Sequence, residues 1–139
     1  MPAAKAFFDT NVLVYALAEG DARSARAEEL LASGGMVSVQ ILNEFVSVAR
    51  RKILMPWSEV TEALEAFRVL CPAPLAIGVE THEAALEIAM RDGYNIYDAL
   101  VIAAALEAGC GILYSEDFRD GQTINGRLTI RNPFAESEG

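Results

Sequence analysis

The sequence predicts an α/β fold in which helices pack against a mostly parallel sheet. Short apolar stretches, typical of strands, alternate with longer stretches whose apolar residues recur at helical spacing. The stretch 97–108 is apolar on almost every side, which is typical of a buried helix. The 139 residues are 53% apolar and 22% charged, so we expect a single domain over 1–139, with an acidic tail from about position 135.

The first half of the chain predicts two short strands, each followed by helices. We expect strands at 5–8 and 36–39, and helices at 12–18, 22–32, 38–52 and 59–70. Asp21 is the expected N-cap of the second helix, and Gly34 and Gly35 follow its end. The third helix shows the i, i+3, i+4, i+7 apolar pattern, carried by Leu42, Phe45, Val46 and Ala49.

The second half predicts three strands, at 75–79, 112–115 and 128–130, with a polar loop before the last. Thr81 is the expected N-cap of a helix that ends near Gly93, and the apolar stretch 97–108 forms the next helix. Parallel strands place their carboxyl ends at one edge of a sheet, where the sites of such folds form. Residues that directly follow the strands are therefore the candidates for function.

The charge balance and the scarcity of metal-binding side chains exclude several classes of protein. Twenty acids against eleven bases give a net charge of −9, so a broad basic face for nucleic acid is excluded. One histidine, His82, and two distant cysteines, Cys71 and Cys110, do not form a zinc motif, and we assign His82 no role. The longest apolar run, 99–106, is far shorter than the ~18 residues of a membrane span. We expect a cytoplasmic protein without membrane association, whose cysteines are free thiols.

Four acids occupy the positions where this fold would form a site. Asp9 and Asp117 follow predicted strands, Glu44 lies early in the helix after the second strand, and Asp98 opens the buried helix. Each has a simpler explanation: Asp9 as a helix cap, Asp98 as a favourable charge at a helix N-terminus, Glu44 and Asp117 as solvated surface groups. For single residues, both explanations stay open.

Taken together, the four acids indicate a bound cation. Carboxylates about 4 Å apart repel each other by a few kcal/mol at an effective dielectric constant near 20, so a cluster needs compensating charge. Oxygen ligands favour Mg²⁺ or Mn²⁺, and such an ion can polarise a phosphodiester and activate water. It would also offset the net charge of −9 when a phosphate approaches.

The same residues resemble those of PIN-domain ribonucleases, and in particular VapC toxins of bacterial toxin–antitoxin pairs. The resemblance covers nearly the whole chain and is carried by Asp9-Thr-Asn, Glu44, Asp98 within YNIYDALVIAAALEAG, and Ser115-Glu-Asp117 within LYSEDFRDGQTINGRLTIRNPF. It implies a three-layer α/β/α sandwich and a Mg²⁺- or Mn²⁺-dependent endoribonuclease. It further implies an RNA substrate, a VapB-like antitoxin partner and a homodimer.

Carried over residue by residue, the resemblance assigns catalysis and metal binding to Asp9, Glu44, Asp98 and Asp117. Supporting polar roles fall to Thr10, Asn11 and Ser115. Glu116 competes with Asp117 for the last acidic position, and the Ser-x-Asp pattern favours Asp117.

Two other functions are compatible with a strand-end aspartate in this fold class. An aspartate-nucleophile phosphatase would need Asp-x-Asp after the first strand, where this chain has Asn11, and a later lysine, which is missing. A non-catalytic acidic binding module of the same fold is the other alternative.

The only basic cluster, 50–52, is better explained by favourable charge at a helix C-terminus than by RNA binding. For Tyr94 and Tyr97 we expect burial rather than base stacking.

Overall fold

The computed structural model describes residues 5–135, over which the chain forms six helices and four strands. In chain order they are β1 (Ala6–Phe8), α1 (Thr10–Ala16), α2 (Ser24–Ala32), α3 (Val39–Arg51), α4 (Trp57–Leu70), α5 (Val79–Asp92), α6 (Ile96–Glu107), β2 (Ile112–Tyr114), β3 (Thr123–Ile124) and β4 (Leu128–Arg131). Most of the predicted acidic tail, 136–139, lies outside the described residues.

The strands form one sheet in the order β1-β2-β4-β3. β1, β2 and β4 run parallel, with Phe8 opposite Tyr114 and Tyr114 opposite Arg131, whereas β3 pairs with β4 in antiparallel register. This arrangement confirms the α/β class with a mostly parallel sheet. The residues that follow β1 and β2, Asp9 and Ser115, therefore lie at the same edge of the sheet.

Two predicted strands, 36–39 and 75–79, are wrong as strands and form only single parallel bridges, Phe7 to Met36 and Ser38 to Leu75. The chain leaves the extended conformation at once because Ser38 caps α3, its hydroxyl accepting a hydrogen bond from the Ile41 amide at 3.3 Å. α5 likewise begins at Val79, within the second predicted strand.

Two predicted helix caps are also wrong. The N-cap of α2 is Arg23, and the Asp21 carboxylate accepts instead from the Arg23 amide and guanidinium, which stabilises the turn before the helix. The N-cap of α5 is Gly78, and the Thr81 hydroxyl, one turn later, accepts from the Gly78 amide at 3.2 Å. In both cases the polar side chain does stabilise the helix start, but from a neighbouring position.

The polar loop before the last strand contains a hairpin that was not predicted. β3 and β4 are joined through residues 125–127, of which Asn125 and Gly126 have positive φ, and the Arg127 amide donates to the Ile124 carbonyl at 3.0 Å. Positive φ at both central residues is the conformation of a type I′ turn, for which Asn-Gly is the preferred pair.

The core lies between the sheet and the helices, and the large side chains Phe7, Leu113 and Ile130 of the three parallel strands are fully buried in it. α6 buries six of its residues, as its apolar sequence predicted. Tyr97, expected to be buried, is 66% exposed, so that expectation is wrong. Among the described residues, no helix has the length and apolar character needed to cross a membrane.

Candidate active site

Asp9 is the buried centre of the candidate site. Its side chain lies directly after β1, is only 6% exposed, and caps α1 by accepting from the Thr10 amide at 2.8 Å. The second carboxylate oxygen accepts from the Ser115 hydroxyl at 2.7 Å. Burial raises the pKa of Asp9 to about 6, against the lowering effect of these two hydrogen bonds. Asp9 therefore caps a helix and is also an electrostatically perturbed acid.

The three predicted supporting residues connect the acids to one another. The Thr10 hydroxyl donates to Glu44 Oε1 at 2.8 Å, and Asn11 Nδ2 donates to Asp117 Oδ2 at 3.2 Å. Ser115 Oγ, which donates to Asp9, also accepts from the Asp117 amide at 3.1 Å. Short polar side chains on α1 and after β2 thus hold three carboxylates around the carboxyl edge of the sheet.

Asp98 joins the group from α6. Asn95, the N-cap of α6, receives a hydrogen bond from the Asp98 amide and donates from Nδ2 to Asp98 Oδ2 at 3.0 Å. Gln40 on α3 connects this helix to Glu44, because its Nε2 donates to Glu44 Oε2 and to the Tyr97 carbonyl, each at 3.2 Å. The structure therefore brings together all four acids that the sequence indicated.

The acids repel one another electrostatically. Besides burial, Asp117 and Glu44 both raise the pKa of Asp9, and the same two neighbours raise the pKa of half-buried Asp98. Within the described residues, none of the four acids forms an ion pair with a lysine or arginine. The site thus concentrates negative charge without a compensating side chain.

Glu116, the alternative to Asp117, is engaged elsewhere. Its carboxylate accepts from the Tyr15 hydroxyl at 2.5 Å and from Arg23 Nη1 at 3.1 Å. Asp117 is exposed at the mouth of the site and contacts Asn11. This difference favours Asp117 as the acid that faces the site.

The donor set fits a hydrated divalent cation. In the described part of the chain, no three His, Cys, Asp or Glu side chains converge tightly enough to hold a metal ion by themselves. Mg²⁺ needs only one or two carboxylates, because it keeps several of its waters. Two buried amide oxygens next to the acids, Asn11 Oδ1 and Gln40 Oε1, lack a hydrogen-bond partner among the described residues and could accept from such waters.

The basic cluster 50–52 makes contacts within the chain. Arg50 donates to the Met55 carbonyl at 2.8 Å and lies over the Trp57 ring, and Arg51 donates to the Ser47 hydroxyl. These contacts agree with a structural role at the end of α3.

Two groups of polar residues near the acids were not selected from the sequence. Gln40 lies four residues before Glu44, a spacing that places both on one helix face, so a signal for it was present. Tyr15 and Arg23 reach Glu116 from more than ninety positions away, and no spacing pattern indicates that contact.

Comparison with known proteins identifies the fold. The family model of the PIN domain matches residues 6–120. No curated protein sequence matches the chain.

Fifteen solved chains are similar to this one, among them the following three. VapC20 from Mycobacterium tuberculosis, a toxin described as cleaving the sarcin–ricin loop, is 25% identical, with a TM-score of 0.67 over 81% of this chain and 90% of that one. A toxin–antitoxin complex from Klebsiella pneumoniae is 19% identical, with a TM-score of 0.70 over 94% and 98%. VapBC2 from Rickettsia felis, bound to a promoter DNA fragment, is 18% identical, with a TM-score of 0.66 over 91% and 97%.

Proposed function

Because this chain belongs to the PIN domain family, we propose that it is a metal-dependent endoribonuclease and the toxin of a toxin–antitoxin pair. The observation that carries the proposal is Asp9, a buried acid with a raised pKa, surrounded by further acids and by no described basic side chain. Such an arrangement is unfavourable without a function, since burial and like charge both disfavour the carboxylate. RNA as the substrate is supported by the described activity of the similar toxin VapC20.

Asp9, Glu44, Asp98 and Asp117 are the residues that would hold Mg²⁺ or Mn²⁺. When bound, the cation supplies a Lewis acid that polarises the phosphodiester and lowers the pKa of water. Ser115 and the Thr10 amide each bind one oxygen of Asp9, which fixes the orientation of that carboxylate. Thr10 and Asn11 orient Glu44 and Asp117 in the same way.

The charge of the chain makes substrate binding depend on the cation. With a net charge of −9, the protein repels RNA in general, and a divalent ion at the acids provides a local positive charge. We therefore expect that RNA binding, and not only RNA cleavage, requires the metal.

We expect pure protein, free of any partner, to cleave mixed cellular RNA when Mg²⁺ or Mn²⁺ is present and to stop when EDTA is added. Gel electrophoresis of end-labelled RNA measures this directly, and re-addition of metal should restore cleavage. Cleavage that persists in EDTA would exclude the metal mechanism.

Absence of cleavage by the metal-loaded protein would instead favour the non-catalytic binding module. The phosphatase alternative is disfavoured by Asn11, whose amide donates to Asp117 where that chemistry requires a second aspartate.

A groove beside α4 fits a protein partner such as an antitoxin. It encloses about 600 Å³, and its lining combines apolar side chains with an acidic rim: Leu17, Ile53, Met55, Ala63 and Ala66, with Glu19, Glu59 and Glu62. Leu17 and Ile53 are 37% and 41% exposed, although apolar side chains of this size gain from burial. The occupant we propose is a segment of the antitoxin with apolar residues flanked by basic ones.

Ile53→Asp is expected to weaken antitoxin binding at least about tenfold, because it places a charge in the apolar part of the groove. The protein is co-expressed with the small protein encoded beside its gene, and the affinity of the pair is measured by calorimetry. Val69→Asp, at a position of α4 that is 79% exposed and outside the groove lining, is the matched control. Equal affinity of both variants would exclude this groove as the docking surface.

We also propose that two copies of the chain associate. Leu86 and Met90 are 44% and 73% exposed on α5 and could bury apolar surface against a second copy.

A further inference from the structure

A polar cluster next to the site joins α1, the start of α2 and the loop after β2. Arg23 donates from Nε and Nη2 to the two Asp21 oxygens, each at 2.9 Å, and from Nη1 to the Tyr15 hydroxyl at 2.7 Å. The same Nη1 reaches Glu116 Oε2 at 3.1 Å, and the Tyr15 hydroxyl donates to Glu116 Oε1. One guanidinium therefore links the Glu116 carboxylate to a carboxylate and a phenol that lie more than ninety positions earlier in the chain.

The cluster is more extensively bonded than an isolated surface ion pair. The Arg23 and Glu116 side chains are 40% and 27% exposed, and the guanidinium lies 3.9 Å from the centre of the Tyr15 ring. That ring also packs edge-on against Phe134 at 5.1 Å. Burial and the contact with Glu116 raise the pKa of Tyr15 to about 12, so its hydroxyl remains a donor well into the alkaline range. Planar, multiply bonded guanidinium contacts of this kind lose less to side-chain entropy than isolated pairs do.

Glu116 lies between two residues of the candidate site. Ser115 before it donates to Asp9, and Asp117 after it accepts from Asn11. Because the Asp117 amide also donates to Ser115 Oγ, the three residues form one short turn. A bond that fixes the Glu116 side chain therefore restricts the turn that presents Ser115 and Asp117.

We propose that Tyr15 and Arg23 are positioning residues, which hold Glu116 so that Ser115 and Asp117 keep their places beside Asp9. This inference rests on the proposed function and adds residues of α1 and of the α2 N-terminus to the support of the site. Neither side chain needs to contact RNA or metal. A function of this kind predicts a loss of turnover without a loss of substrate affinity.

Tyr15→Phe tests the proposal with the smallest change, because the ring and its contacts remain and only the hydroxyl is lost. At saturating Mn²⁺, we expect kcat to fall by about 10- to 100-fold, the range seen when groups that orient metal ligands are removed, while KM for RNA is unchanged. Arg23→Lys should lower kcat to a similar extent, because an ammonium group cannot bind Asp21 and Glu116 with the same fork. Arg91→Ala, which removes a comparable 2.9 Å surface ion pair with Asp92, is the matched control.

Hydrogen exchange provides a measurement independent of activity. In Tyr15→Phe, the amides of residues 113–119 should exchange faster than in the wild-type protein, whereas α4 and α5 exchange at unchanged rates. Wild-type kcat in folded Tyr15→Phe, or unchanged exchange over 113–119, would overturn the proposal. If the wild-type protein cleaves no RNA, the proposed function fails, and the exchange result still decides whether Tyr15 orders the turn.

Discussion

Asp9→Asn is expected to lower the rate of RNA cleavage by at least about a hundredfold. This fall is larger than the one expected from removing a group that only orients a metal ligand. Asparagine has the same shape and can still cap α1, so the capping function of Asp9 is retained. What is lost is the negative charge at the most buried of the four acids. Initial rates on a fixed RNA at saturating Mn²⁺ measure the effect.

Asp92→Asn is the control for a change of one charge. Asp92 pairs with Arg91 on the surface at the end of α5 and contacts none of the four acids. Its cleavage rate should equal that of the wild-type protein. If Asp9→Asn cleaves RNA as fast as this control does, Asp9 is a helix cap and not part of the chemistry.

Asp9→Asn is also expected to stabilise the metal-free protein at pH 8, by roughly 3 kcal/mol in the free energy of unfolding. The pKa of Asp9 is raised from 3.8 to about 6 in the folded state, so folding favours its protonated form. The stability from this group is fully present below pH 3.8 and is lost as the pH rises through about 6. Asparagine stays neutral and avoids the loss.

Urea unfolding in EDTA at pH 4, 6 and 8 measures this effect. The difference in unfolding free energy between Asp9→Asn and the wild-type protein should grow with pH and level off above pH 7. A wild-type protein that is the more stable of the two at pH 8 would contradict the raised pKa of Asp9, a buried carboxylate without an ion pair among the described residues. Greater stability together with lost activity would show that the charge is kept for function.

Local signals in the sequence were sufficient for much of the fold. The apolar character of 97–108 on almost every side predicted the burial of α6. The positions of Asp9 and Asp117 after predicted strands placed both residues at the carboxyl edge of the sheet, and β1 and β2 do run parallel. Asn125-Gly126 is an equally local signal for the β3–β4 hairpin, and it was missed because the surrounding strands are very short.

The strands predicted at 36–39 and 75–79 failed for a different reason. Their residues are apolar enough for a sheet, but Ser38 caps α3 and α5 begins at Val79, so 36–39 forms two isolated bridges and 75–79 forms one. Where two local signals compete within a few residues, only the packed structure decides between them. The exposure of Tyr97 was equally beyond the sequence, since helical periodicity does not say which side of the first turn of α6 is left exposed to solvent.

By itself, the sequence determined the alternation of strands and helices, the acids at the strand ends and the polar residues beside them, because these depend on neighbours in the chain. The tertiary structure alone decided the burial and raised pKa of Asp9, the bridge from Gln40 to α6, and the hold of Tyr15 and Arg23 on Glu116. Desolvation and hydrogen bonding between distant residues depend on distances in space, which spacing along the chain does not specify.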